Sequence, residues 1–286
     1  LSRMKDVEGR LNTPGRALLA FGVALNLATL GYFKYYGFFA EEINDLFGLV
    51  GAGEVIPLRQ ITLPVAISFF TFHAISYLVD IARNDIEEPM SPLDFSLYLS
   101  FFPHLVAGPI VLPGELIPQL DTPRNPRRVD TSRACYLIAT GLFKKVVISS
   151  YLANEIADPV FAAPGQYGSL EILVGVYAYA IQIFADFSGY TDIAIGCALL
   201  LGVKFPQNFD QPYRAFSLQD FWRRWHMTLS RWLRDYLYIP LGGNRGTKAF
   251  IYRNLALTMI LGGLWHGAAL TFVAWGAIHG FGLVIE

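Results

Sequence analysis

The stretch Leu255–Val284, LALTMILGGLWHGAALTFVAWGAIHGFGLV, decides the fold. It contains no Asp, Glu, Lys or Arg. About 20 apolar residues cross a bilayer as a helix, so this run is long enough to enter a membrane. It also carries an ionisable side chain, His266, within Leu261-Gly262-Gly263-Leu264-Trp265-His266-Gly267. Such a group is costly in hydrocarbon and marks a functional site by default. A second histidine, His226, closes the aromatic and basic stretch Phe221-Trp222-Arg223-Arg224-Trp225-His226.

The rest of the chain agrees with a membrane solvent. Hydrophobic residues make up 53% and charged residues 16%, against about 25% charged in soluble domains. Mean hydropathy is +0.39. Lipid admits only helices or closed barrels, and these long continuous runs lack the alternation of barrel strands. The expected fold is therefore all-α, a polytopic transmembrane helical protein. The net charge of −1 argues against a nucleic-acid partner. Cys135 and Cys197 match no zinc or redox spacing. The chain starts in a polar stretch, Leu1 to Arg16, and stops in an apolar one, Gly280 to Ile285. Residues 1–286 thus read as one membrane-embedded domain, incomplete at both ends, of a longer polypeptide.

Further spans are expected at Ala17–Ala40 and at Ile61–Val79, the latter bounded by Asp80 and Arg83. Tyr136–Leu152 is a weaker span because Lys144 and Lys145 interrupt it. Leu170–Leu201 is long enough for one tilted span plus a broken one, with Asp186 and Asp192 inside. Leu255–Ile285 reads as two helices turning near Gly262-Gly263 or after His266-Gly267. Phe95–Pro118, rich in proline and glycine, reads as a re-entrant piece, since broken backbone at membrane depth survives only against protein or water. Loop charge supports this. Glu41–Glu54 and Ala153–Ser169 carry acids and no base, whereas Arg124, Arg127, Arg128 and Arg133 cluster in one loop. Lys204–Arg253 holds nine basic residues against three acidic ones. The positive-inside rule assigns the basic loops to the cytoplasm, and a re-entrant Phe95–Pro118 keeps them all there.

Between Ser217, a capping signal for Asp220, and the stop signals Pro240 and Gly242-Gly243-Asn244 lies a helix candidate. Trp222, Trp225, Leu229, Trp232 and Tyr236 share one arc, with His226 at its edge. Arg223, Arg224, Arg231 and Arg234 share another face. Periodicity alone allows an interfacial amphipathic helix or one whose aromatic edge lines a cavity. His266 and His279 are 13 residues apart. On a straight helix that is about 20 Å, too far for one small site. Unless the helix breaks between them, at most one of this pair is central. His279 is expected to bond across helices, and His73 and His104 take the same default.

No His-Glu-x-x-His, metal cluster, Gly-x-Ser-x-Gly elbow, Walker or dinucleotide motif occurs. A histidine base without a serine or cysteine nucleophile suits direct transfer, in which a substrate hydroxyl attacks a carbonyl.

Several segments together resemble the membrane-bound O-acyltransferase family, in its bacterial alginate O-acetyltransferase-like branch. They are Phe221–His226, Leu229-Ser230-Arg231-Trp232-Leu233-Arg234-Asp235-Tyr236 through Asn244-Arg245, and Gly262–Gly267. Ser68–Phe72, Phe101–Pro103, Ala107–Ile110, Gly141–Lys145 and Asp186–Tyr190 add to the match, in order from about residue 65 to residue 282. The resemblance implies a central tunnel meeting at a buried histidine. The family's invariant histidine corresponds to His266, and its second polar position, histidine or asparagine, to His226. It implies acetyl transfer from a cytoplasmic thioester, such as acetyl-CoA, toward an exported polysaccharide, with no tightly bound cofactor and no metal. His266 would be the base and His226 a supporting residue, with Arg223, Arg224, Arg231 and Arg234 holding donor phosphates. The implied setting is multi-pass in a bacterial inner membrane. The implied partners are lipid, the thioester donor, a periplasmic esterase-like acetyltransferase and polysaccharide export machinery. The alternatives are D-alanyl transfer to teichoic acid by a related branch, a transporter or channel using Asp186 and Asp192, and an inactive scaffold.

Overall fold

The computed structural model describes residue 4 and residues 11–86, 88–122 and 125–286. Arg124, counted in the basic loop, lies outside them. Among the described residues every regular element is a helix, as expected. α1 (Thr13–Leu30) is capped by the Asn12 side chain and passes through a π-helical turn, Gly31–Tyr35, into α2 (Tyr36–Gly48). α3 (Ile67–Arg83) packs against α1. The proline-rich piece forms α4 (Pro92–Ser100), a 3₁₀ turn and α5 (Pro113–Asp121), with extended backbone between. α6 (Thr131–Leu142) continues through π-helical turns and two short pieces, α7 (Ser150–Leu152) and α8 (Asp158–Ala162). α9 (Ser169–Leu200) packs along it. α10 (Leu218–Arg224), α11 (Met227–Leu233), α12 (Lys248–His266) and α13 (Leu270–Ile285) complete the chain.

Among the described residues, three continuous helices are long and apolar enough to cross a membrane: Thr13–Gly48, Thr131–Ala162 and Ser169–Leu200. The weak span at Lys144 and Lys145 is thus a full-length helix. Those cations meet carboxylates on α9: Lys144 with Asp192 at 2.6 Å and Lys145 with Asp186 at 2.5 Å. The expected break within Leu170–Leu201 does not occur. With its two aspartates paired, α9 runs unbroken for 32 residues. Glycine brings the two helices close. A Cβ on Gly141 would lie 2.5 Å from the Gly189 carbonyl. Small residues at such crossings let backbones approach.

Two clusters form the core. Phe69, Phe72 and Ile75 of α3 meet Ile110, Leu229 and Trp232, with Trp265 packed alongside. Phe72 stacks on Trp232 at 3.9 Å and on Trp265 at 5.0 Å between ring centroids. The second cluster, Tyr98, Phe101, Val111, Leu116, Ala198 and Val203, seats the proline-rich piece against the end of α9. That piece is buried against protein as its broken backbone requires.

The segment from Ser217 to Pro240 departs from the expected single helix. Ser217 does cap it, accepting from the Asp220 amide at 3.1 Å. The helix then breaks at Trp225, which is extended, and His226, which is left-handed at φ +44°. The aromatic arc is dispersed as a result. Trp222 meets α13, Trp225 meets Phe184 and Phe209, and Trp232 meets Phe72.

Candidate active site

His266 is the last residue of α12, and the turn follows it at Gly267. α13 folds back on α12 so closely that a Cβ on Gly263 would lie 3.0 Å from the Gly276 Cα. Gly263 and Gly267 therefore serve helix packing, Gly267 against the Phe272 ring. The His266 Nδ1 lies 2.7 Å from the Gly262 carbonyl. A carbonyl only accepts, so Nδ1 carries the proton and Nε2 keeps the lone pair. That is the tautomer a general base at Nε2 needs.

His266 lines an apolar cavity of about 220 Å³ walled by Leu229, Leu233, Met259, Trp275 and their neighbours. The expectation of a buried histidine is corrected here. His266 is exposed, because it stands at a helix break on a cavity wall. A second cavity of about 620 Å³ adjoins the first and includes Arg223, Arg231 and Arg234. Trp222, Ser230, Arg234, Leu255 and Leu283 line both. An apolar chamber at a histidine thus borders a larger chamber with guanidinium groups.

The four arginines are not equivalent. Arg231 makes a bidentate pair with Glu115, at 2.5 and 2.8 Å. Arg234 pairs with Asp235 at 2.7 Å. Arg224 pairs with Asp220 at 2.8 Å and reaches Asp210 at 3.9 Å, and it lines neither chamber. The hydrogen bond from Arg224 holds the Asp220 carboxyl below the usual carboxylate range. Arg223 donates to the neutral Gln219 amide at 3.0 Å and forms no ion pair among the described residues, although its charge is felt by the Asp220 carboxylate.

His226 is fully buried. Its Nδ1 lies 3.2 Å from the Asn208 Oδ1, which also accepts from the Thr228 amide and hydroxyl at 3.2 and 3.0 Å. The Thr228 hydroxyl in turn accepts from the Ile110 amide at 3.0 Å. Thr228 thus ties the proline-rich piece to α11, and His226 joins that network through Asn208 and lines neither chamber. The Trp265 ring stands beside both histidines, 6.3 Å from His226 and 5.1 Å from His266 between centroids.

Among the described residues His279 makes no hydrogen bond across helices, contrary to expectation. It packs against Trp222 and Trp275, with Nδ1 buried and unpartnered. The break after His266 folds α13 back, so Trp275 touches both His266 and His279. His73 and His104 stack at 4.1 Å; the His73 ring nitrogens are without partners among the described residues, whereas the His104 ring faces the Tyr98 and Leu99 backbone. No group of three or more metal-ligating side chains occurs among the described residues. Sequence reading missed Asn208, Glu115 and Lys34. Asn208 and Glu115 stand in polar or broken stretches that give no periodic signal. Lys34 carried the same signal as His266, a lone charge in an apolar span.

The sequence profile of the membrane-bound O-acyltransferase family matches residues 65–286. A probable alginate O-acetylase AlgI of Pseudomonas aeruginosa is 45% identical over 94% of this chain and 51% of its own length. A peptidoglycan O-acetyltransferase of Helicobacter pylori is 40% identical over 96% of this chain and 56% of its own. A teichoic acid D-alanyltransferase of Streptococcus thermophilus is 30% identical over 78% and 56% respectively. The chain spans about half the length of these curated relatives.

Proposed function

The chain belongs to the membrane-bound O-acyltransferase family, and from that premise we propose that it moves acetyl groups from a cytoplasmic thioester toward hydroxyls of an exported polysaccharide. One observation carries the reading: a histidine with its Nδ1 proton fixed and Nε2 free lines an apolar chamber beside an arginine-lined one. In the proposed reaction the His266 Nε2 takes the proton of the acceptor hydroxyl. The oxygen attacks the thioester carbonyl, the C–S bond breaks, and the thiol leaves with the proton from the imidazolium. The apolar walls keep water from hydrolysing the thioester. Arg223, with Arg231 and Arg234, faces donor phosphates such as those of acetyl-CoA. Arg224 acts instead through Asp220 and Asp210. His226 supports the site through Asn208 and Trp265.

The setting proposed is a bacterial inner membrane, crossed several times, with the basic loops in the cytoplasm. The proposed partners are lipid, an esterase-like periplasmic acetyltransferase and export machinery. The names of the 45% and 40% identical relatives favour polysaccharide O-acetylation. D-alanyl transfer is the second reading, favoured by the 30% identical relative. The transporter reading loses one of its supports, because Asp186 and Asp192 are paired with lysines.

Labelled acetyl-CoA and a D-alanyl carrier protein, offered in turn to membranes containing the protein, separate the two donors. His266→Ala is expected to lower transfer by about 10³-fold or more with the protein still folded, within the range for a lost general base. His226→Ala is expected to be milder, about 10- to 100-fold, because it acts through neighbours. Full activity in His266→Ala would falsify the assignment of the base.

A further inference from the structure

A helix leaves its last four carbonyls without donors of its own. α12 ends at His266, and Gly267 is already extended at φ −163° and ψ 151°. The carbonyls of the final turn therefore need donors from elsewhere. Two of them find donors on the first membrane-crossing helix, far away in sequence. The Lys34 ammonium donates to the Trp265 carbonyl. The Tyr35 hydroxyl donates to the Leu264 carbonyl at 2.9 Å. The same ammonium donates to the Ser68 hydroxyl at 3.1 Å and stands 5.4 Å from the centre of the Trp265 ring.

Lys34 lies in an apolar span and has no carboxylate partner among the described residues. A bare ammonium there is costly. What it meets is the negative end of the α12 dipole, where a cation is stabilising. Lys34 and Tyr35 close the π-helical turn Gly31–Tyr35. Such turns insert into α-helices mostly at functional positions.

We propose that Lys34 and Tyr35 are positioning residues for His266. They clamp the last turn of α12, so that His266 holds its Nδ1 on Gly262 and keeps its Nε2 at the chamber. Neither residue lines the chamber. Both also lie before the residues 65–286 matched by the family profile. This inference rests on the reading of His266 as the base.

The test uses Lys34→Met, Tyr35→Phe and Lys34→Arg in the full protein in membranes. Two readouts are taken: acetyl transfer from acetyl-CoA, and hydrogen exchange of the peptide containing Leu264–Gly267. Lys34→Met is expected to lower kcat by about 10- to 100-fold, the scale of a small misplacement of a catalytic group. The KM for acetyl-CoA stays within about twofold, since neither chamber wall is touched. Exchange of the peptide rises about 10-fold or more, as a terminal turn loses its donors. Tyr35→Phe gives a smaller loss of kcat, and Lys34→Arg restores most of it. Unchanged exchange in both Lys34→Met and Tyr35→Phe overturns the clamp. Faster exchange with wild-type kcat, or a KM that rises in step with the loss of kcat, overturns the positioning role. If Lys34→Met fails to accumulate, Tyr35→Phe decides, and wild-type kcat and exchange there overturn the proposal. A wild-type protein that transfers no acetyl, but whose variants exchange faster, removes the reading of the site and leaves the clamp standing.

Discussion

His226 owes its importance to backbone as much as to chemistry. Its left-handed φ of +44° turns α10 into α11. Asn, Asp and His adopt that region more readily than other non-glycine residues, and an alanine there costs about 1 kcal/mol or more. Part of any defect in His226→Ala is thus conformational. His226→Asn keeps a polar group and a tolerated backbone, and it is expected to hold thermal stability within about 0.5 kcal/mol of wild type while His226→Ala loses about 1–2 kcal/mol. Thermal denaturation in detergent, measured alongside transfer, checks this. At this scale the sequence was only partly legible. His266 stood out because it and His279 are the ionisable side chains in 30 residues without Asp, Glu, Lys or Arg, from Leu255 to Val284, and His266 has the glycines beside it. Its exposure was not legible, since accessibility depends on the helix break and on which side chains stop short of filling the chamber. Asn208, which accepts from three directions around His226, has no marker in the chain at all.

Among elements, three membrane helices were legible in hydropathy. The span expected at Ile61–Val79 is instead the shorter α3, preceded by non-helical chain at its prolines and loop. Of the two turns expected, near Gly262-Gly263 or after His266-Gly267, the second occurs. The errors came where two elements correct one another. Lys144 and Lys145 weakened one expected span, and Asp186 and Asp192 suggested a break in another. The two penalties cancel across one interface. Pattern reading treats each helix alone and cannot see that cancellation. Asp192→Asn leaves Lys144 unpaired and is expected to destabilise the protein by about 1–3 kcal/mol, less than a wholly buried pair because both side chains keep some exposure. Exchanging the charges, Lys144→Asp with Asp192→Lys, is expected to recover at least half of that loss. A double-mutant cycle on thermal stability measures it. The failure at Ser217–Pro240 has a different cause. Helical periodicity assumes constant rotation, and one left-handed residue resets it.

At the scale of the molecule, residues distant in sequence meet around two adjoining chambers. Of the arginines, Arg223 alone faces the larger chamber without a carboxylate partner among the described residues. Arg223→Ala is therefore expected to raise the KM for a phosphate-bearing thioester by about 5- to 20-fold with kcat nearly constant, as for one lost charge-assisted contact. The salt dependence of KM should weaken in parallel. Steady-state kinetics across ionic strength tests both.

The helix α9 carries a consequence of its own. Its 32 residues measure about 48 Å at 1.5 Å each. The hydrocarbon of a bilayer is about 30 Å thick. An upright α9 whose first residue starts at one boundary of that hydrocarbon would leave about a dozen residues beyond the other, and a strongly inclined one would bury them. With Leu200 as the protruding end, that dozen includes Asp192, so its pair with Lys144 would sit among lipid headgroups and water rather than acyl tails. The tilt of this helix therefore sets how polar the surroundings of the ion pair are. A thinner or thicker host membrane would tune that polarity without changing a single residue.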